Sequence, residues 1–223
     1  MPGGVEFPDA VPEFAGSGAF VHVSACPIGD APIGLCVPDD LAAAGGLPAW
    51  RAAERIAARA LLRSLLVVTA DEEAAAAPVR GRKSGRPFLG GRPDVAVSLS
   101  HSDGWAAAAV GLRGRVGVDV QLPRPRIAPV RGGEGNQSGA GSQSVASRRP
   151  RTVASVVEAA WIWSVQEACV KATGEGLAGR PWQIPVEPGA STGRWGRLRW
   201  AAFRELFPVP VSCAWDPGAE AGS

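Results

Sequence analysis

Over residues 50–68 apolar side chains recur at helical spacing. Ile56, Ala60, Leu61, Leu65 and Val68 fall on one side and Arg51, Arg55, Arg59 and Arg63 on another, which predicts an amphipathic helix. Residues 154–173 repeat the pattern: Val157, Trp161, Val165, Ala168 and Ala172 form an apolar stripe, and Gly174 and Gly176 follow as stop signals. Elsewhere the period falls to two. Residues 20–25, 95–99, 105–112 and 116–120 read as strands, and short strands are expected again over 182–186, 194–203 and 209–215. Arg113-Gly114-Arg115 joins two of these strands and predicts a hairpin with glycine in its turn. Along 116–121, Gly117, Asp119 and Gln121 take one face and Val116, Val118 and Val120 the other, so Asp119 and Gln121 reach one shared site.

Three stretches lack either period. Residues 1–19 are rich in Pro and Gly and are expected to be frayed or extended. Residues 80–92 carry Arg80, Arg82, Lys83, Arg86 and Arg92 with no acidic residue, a cationic loop. Residues 131–149 are rich in Gly, Ser and Gln and predict a flexible loop.

Composition narrows the classes. The 223 residues make one large domain or two small ones, and 46% hydrophobic against 20% charged residues argues for a packed core. A net charge of +2 is too small to make nucleic acid the main partner. Glu6, Asp9 and Glu13 replace the basic stretch of a signal peptide, and the apolar runs break before membrane-spanning length, so neither export nor a membrane partner is expected. Cys26, Cys36, Cys169 and Cys213 form no C-x-x-C pair, and His22 and His101 complete no zinc pattern. Free thiols in a reducing cytoplasm are expected.

The candidate chemistry centres on a helix face. Trp163, Glu167 and Lys171 share it, and Asp119 lies on a strand upstream. Two carboxylates with a neighbouring Lys suit Mg²⁺ holding a phosphorylated ligand; each carboxylate alone also reads as a solvated charge. Lys171 either neutralises phosphate oxygens or pairs with Glu167 at i,i+4, worth about 0.2–0.5 kcal/mol. Ser100-His101-Ser102 closes a strand without a Gly-x-Ser-x-Gly elbow, so His101 is either a phosphate donor or a hydrogen-bonded structural histidine. The 80–92 loop holds a polyanion or is simply solvated. Trp161 and Trp163 read as core rather than a ligand stack.

In order along the chain stand Gly85-Arg86-Pro87, then Ser98-Leu99-Ser100-His101-Ser102, then Gly117-Val118-Asp119-Val120-Gln121, then Trp163-Ser164-Val165-Gln166-Glu167-Ala168-Cys169-Val170-Lys171. This succession resembles the 4′-phosphopantetheinyl transferases of the surfactin-synthetase-activator type, with motifs Gly-Lys-Pro, Ser-His-Ser, Gly-(Ile/Val)-Asp-x-Glu and Trp-x-x-Lys-Glu-Ala-x-x-Lys. The Arg-bearing helix over 51–63 also looks like that family's first helix, and the resemblance covers roughly residues 50–177.

The resemblance implies a fold, a reaction and a site. The fold is α+β: two similar halves in one pseudo-dimeric chain, split near residue 113 into 1–112 and 113–223, with the active site in the cleft between them. Coenzyme A is the substrate. A serine of an apo acyl- or peptidyl-carrier protein attacks its β-phosphate, and 3′,5′-ADP leaves. Asp119, Glu167 and Gln121 become Mg²⁺ ligands, Glu167 also taking the serine proton, and Lys171 stabilises phosphate charge. Ser100, His101, Arg86, Arg51, Arg82 and Lys83 hold the 3′-phosphate and adenosine, which places the nucleotide contacts in the first half and the metal and catalytic helix in the second. A cytoplasmic monomer is expected; fatty-acid, polyketide and nonribosomal-peptide carriers all stay open as its partner, with polyketide and nonribosomal-peptide biosynthesis suggested by the Ala-, Arg- and Gly-rich composition. Gln121 stands where many members carry Glu, Gln166 where they carry Lys, and the 131–149 loop replaces a more ordered segment. These departures keep a second expectation open: a non-catalytic homologue that binds coenzyme A or a carrier. A metal-dependent pyrophosphatase is the third.

Overall fold

A strand whose side chains are apolar on both faces must be covered on both. Trp105–Leu112 is such a strand, with Ala106 to Val110 all buried, and the architecture is built around it. The computed structural model describes residues 13–16, 19–112, 114–124 and 153–216. In chain order its elements are β1 (Glu13–Gly16), β2 (Ala19–Pro27), α1 (Pro38–Ala42), α2 (Ala49–Thr69), α3 (Glu72–Ala76), β3 (Val79–Gly81), β4 (Pro87–Leu89), β5 (Val95–Ser102), β6 (Trp105–Leu112), β7 (Val116–Val120), α4 (Val153–Thr173), β8 (Thr192–Trp195), β9 (Leu198–Ala202) and β10 (Val211–Trp215). The class is mixed α+β. The antiparallel sheets run β1-β2-β6-β5, β7-β10-β9-β8 and β3-β4.

Strand alternation sorts the core into three clusters. Val95 and Val97 of β5 and Ala106, Ala108 and Val110 of β6 pack under Leu61, Leu62 and Leu65 of α2. The opposite face of that sheet, with Val21, Val23, Ala107 and Ala109, meets Val116, Val118, Val120, Val211 and Cys213 of the second sheet. The outer face of the second sheet meets Trp161, Val165, Ala168 and Ala172 of α4 through Leu198, Trp200 and Ala214. The layer order is therefore α2, first sheet, second sheet, α4. Among the described residues no helix is long and apolar enough to cross a membrane, and all four cysteines are free thiols.

Three expectations are corrected. β6 and β7 do not form a hairpin: β6 pairs with β2 and β5, while β7 pairs with β10, so the chain changes sheets between them. Gly114 is required at that crossing, because a Cβ there would lie 2.8 Å from the Asp216 carbonyl oxygen. The tight hairpin is β5–β6 instead, turned by Asp103 and Gly104, both at positive φ. The cationic 80–92 stretch is not an open loop. It contains the β3–β4 hairpin, whose turn is closed by Arg82 N–H donating to the Arg86 carbonyl at 2.9 Å.

Residues 182–186 are not a strand. A 3₁₀ turn covers Pro181–Gln183, and Pro185 removes a ladder donor from within the stretch. Arg59 and Arg63, on the Arg-bearing side of α2, are buried. Both turn inward to Asp40 of α1, Arg59 at 2.8 Å and Arg63 through two bonds of 2.8 and 3.0 Å, with Arg63 also capping the Ala75 and Ala77 carbonyls. Arg63 is 1% exposed and Asp40 fully buried. Burial pushes the Asp40 carboxyl up, but the Arg63 bonds and charge, the Val37 N–H and Arg59 outweigh it and hold the carboxyl below its ordinary range. The predicted 131–149 loop lies outside the described residues.

Candidate active site between two sheets and a helix

The site begins with a glycine. A Cβ at Gly117 would stand 2.1 Å from the Ala168 carbonyl oxygen and 2.5 Å from the Ala172 nitrogen, so only glycine lets the α4 backbone lie directly on β7. That approach brings Lys171 over the strand. Its Nζ donates to Asp119 Oδ1 at 2.7 Å, to Ser100 Oγ at 2.9 Å and to the Val118 carbonyl at 3.1 Å. Lys171 therefore pairs across elements with Asp119 and not along its own helix with Glu167.

Three serines set the register between the sheets. Ser98, Ser100 and Ser102 sit at alternate positions of β5, so their hydroxyls point the same way. Ser98 Oγ accepts from Val118 N–H at 3.0 Å, Ser100 from Val120 at 3.3 Å and Ser102 from Leu122 at 3.5 Å. Side-chain oxygens here take the place of a strand's carbonyls and join the edge of one sheet to the edge of the other. The ladder sets Ser100 Oγ 2.8 Å from Asp119 Oδ1, to which it donates. Its one proton and both lone pairs are then committed, and its orientation is held from three sides.

Asp119 is buried, and its second oxygen, Oδ2, has no hydrogen-bond partner. An orphaned buried carboxylate oxygen is costly and calls for a positive partner. Glu167, half-buried on α4, lies in the same field. Burial first, then the charge of Asp119, raises its carboxyl above the ordinary range, with Lys171 pulling the other way. Asp119, with its free oxygen, and Glu167, close enough for the Asp119 charge to raise its carboxyl, offer hard oxygen donors that could hold a divalent cation, although among the described residues no group of three or more His, Cys, Asp or Glu gathers as a metal cluster. Gln121 follows β7 on the Asp119 face. Its amide nitrogen is engaged with the Leu122 carbonyl at 3.0 Å, so the amide oxygen is the atom it has to offer. Gln166 turns away from the site, with its Nε2 donating to the Ile184 carbonyl at 2.8 Å in a buried structural bond.

The residues expected at the nucleotide divide. A groove of about 200 Å³ between the 84–87 turn and the end of α4 is lined by Arg86, Ser98 and Lys171. A second of about 340 Å³ adjoins it across Gly85, Pro87 and Leu99 and contains His101 with Arg55 and Arg80. Alternation explains the split: His101 faces α2, where its Nδ1 lies 3.2 Å from Glu54, while Ser100 faces β7. Arg86 is half-buried against Gly174 at the end of α4. Arg51 stands apart with its guanidinium over the Trp50 ring, and Lys83 is exposed; neither lines these grooves. Arg55 as a groove residue and the structural roles of Gly117, Ser98 and Ser102 escaped the sequence reading. The alternation Ser-x-Ser-x-Ser was the one local sign of the ladder.

No protein-family model matches the chain, and no curated protein matches it.

Proposed function

We propose that the protein transfers the 4′-phosphopantetheine group of coenzyme A to a serine of an apo acyl- or peptidyl-carrier protein. The observation that carries this reading is the grip of Lys171 and Ser100 on Asp119, whose Oδ2 is unpartnered, with Glu167 near enough for the Asp119 charge to raise its carboxyl. Asp119, Glu167 and the Gln121 amide oxygen would hold Mg²⁺, which when bound supplies positive charge against the diphosphate. Lys171 adds a point charge on the same side, released from or shared with Asp119. Ser100 orients the Asp119 carboxylate. Glu167, whose proton affinity burial raises, accepts the proton of the attacking serine. The two adjoining grooves suit an elongated nucleotide, with Arg86 beside Lys171 and His101, Arg55 and Arg80 toward the 3′-phosphate.

A four-stranded sheet and a 21-residue helix occur on each side of residue 113, which supports reading the chain as two related halves; the same reading takes the protein to be a cytoplasmic monomer. The test incubates the folded protein with Mg²⁺, coenzyme A and several apo-carrier proteins and reads the phosphopantetheine mass gain. No gain on any carrier, with coenzyme A bound, defeats the reading.

One observation favours a non-catalytic binder instead. Gln166 is spent on the Ile184 carbonyl and puts no cation beside the phosphates. Calorimetric binding of coenzyme A that persists without turnover on any carrier would select it.

A further inference from the structure

An ammonium group has three protons to give. In Lys171 all three go to protein oxygens: Asp119 Oδ1 at 2.7 Å, Ser100 Oγ at 2.9 Å and the Val118 carbonyl at 3.1 Å. These acceptors belong to two sheets, Ser100 to β5 and the others to β7, so the ammonium is held at a fixed point between them. Ser100 donates to the same Asp119 oxygen at 2.8 Å. Both donors therefore load Oδ1 and leave Oδ2 bare. The Asp119 side chain is 8% exposed, and Lys171 is its one ion-pair partner among the described residues. A move of Lys171 onto a phosphate would strip Asp119 of that charge and the Val118 carbonyl of a donor. Glu167, one turn earlier on α4, feels the same ammonium. Burial and then the Asp119 charge raise its carboxyl, and Lys171 lowers it, as a cation placed among carboxylates does.

We propose that Lys171 is a positioning residue and not a phosphate ligand: its ammonium is the resident cation of the site, kept on Asp119 Oδ1 so that the carboxylate is neutralised and oriented while Oδ2 stays free for a metal ion. This role rests on the reading of Asp119 and Glu167 as metal ligands, and it replaces the phosphate contact that the family resemblance implies. Two cations on one carboxylate repel, so Lys171 and the metal weaken each other's hold, yet each supports the site when the other is gone.

The test is thermal melting of the parent and of Lys171→Met, in EDTA and across a Mg²⁺ titration. In EDTA the variant should melt roughly 5–10 °C lower, because a buried carboxylate has lost its partner. Mg²⁺ should then raise its melting temperature by more than the parent's, and at about tenfold lower concentration, since the repulsion is gone. With Asp119→Asn there is no charge to hold, so adding Lys171→Met to that background should move the EDTA melt by less than about 2 °C. In the transfer assay kcat should fall and the KM for coenzyme A stay within about twofold. An unchanged EDTA melt in Lys171→Met, an equal loss in the Asp119→Asn background, a Mg²⁺ response no greater than the parent's, or a rise in KM of about tenfold with kcat kept would each overturn the proposal. Parent and variant both blind to Mg²⁺ would overturn it by removing the metal site itself. Absence of transfer to every carrier would strike the transferase reading alone and leave the melts to decide.

Discussion

Replacing Gly117 by alanine tests the mechanical basis of the site. The added methyl carbon would stand 2.1 Å from the Ala168 oxygen and 2.5 Å from the Ala172 nitrogen. Ordinary contact needs roughly 1 Å more, and both obstacles are backbone atoms in the body of α4, so no side-chain rotation relieves the clash. Strand and helix must part. Overpacking costs about 1–3 kcal/mol, and the rigid partners here favour the upper end. At about 2–4 °C per kcal/mol for a chain of this size, a melt followed by circular dichroism should lose roughly 6–12 °C. The same displacement draws Lys171 from Asp119 and the Val118 carbonyl, now 2.7 and 3.1 Å away. An error of about 1 Å in a catalytic constellation costs on the order of a hundredfold, so the proposed carrier modification should fall by that factor. A variant that melts and turns over like the parent would refute the close-approach reasoning.

Three further outcomes are expected. Ser100→Ala strands the Val120 N–H and takes the donor from Asp119, costing about 1–3 kcal/mol in denaturant titration; an unchanged midpoint would remove the ladder's role in register. Asp40→Ala leaves Arg59 and Arg63 buried without their anion, a loss of about 3–5 kcal/mol, and a loss below about 1 kcal/mol would mean solvent already reaches the pair. Glu167→Gln should abolish transfer yet raise the melting temperature of the metal-free protein at neutral pH. The raised Glu167 carboxyl stabilises the fold while protonated, a contribution complete below its unfolded value and lost as pH rises through its folded one, so the variant's advantage should shrink in acid. Mg²⁺ should stabilise the parent and not the variant. Melts across acid to neutral pH, with EDTA or Mg²⁺, check both statements, and a pH-independent difference would refute the assignment.

Both long helices could be read from the chain because their period is local. Residues 49–69 and 153–173 are helical within a residue of the spacing's forecast, and Gly174 stops the second at positive φ. The face shared by Gly117 and Asp119 follows from strand alternation in the same way. Pairing is another matter. Arg-Gly-Arg reads as a turn whether the next strand folds back or crosses to a second sheet, and only the apolar faces meeting between the two sheets decide it. The arginines of α2 are only one side of a helix until Asp40, far off in sequence, is brought beneath them. The same holds at the site: residue types and spacing name Asp119, Glu167 and Lys171. That Lys171 grips Asp119, that Ser100 stands between them and that His101 faces the other way are set by the packing of β5, β7 and α4. Local periodicity assigns a side chain to a face; which partner waits across that face depends on contacts between distant segments, and these exist only in the folded chain.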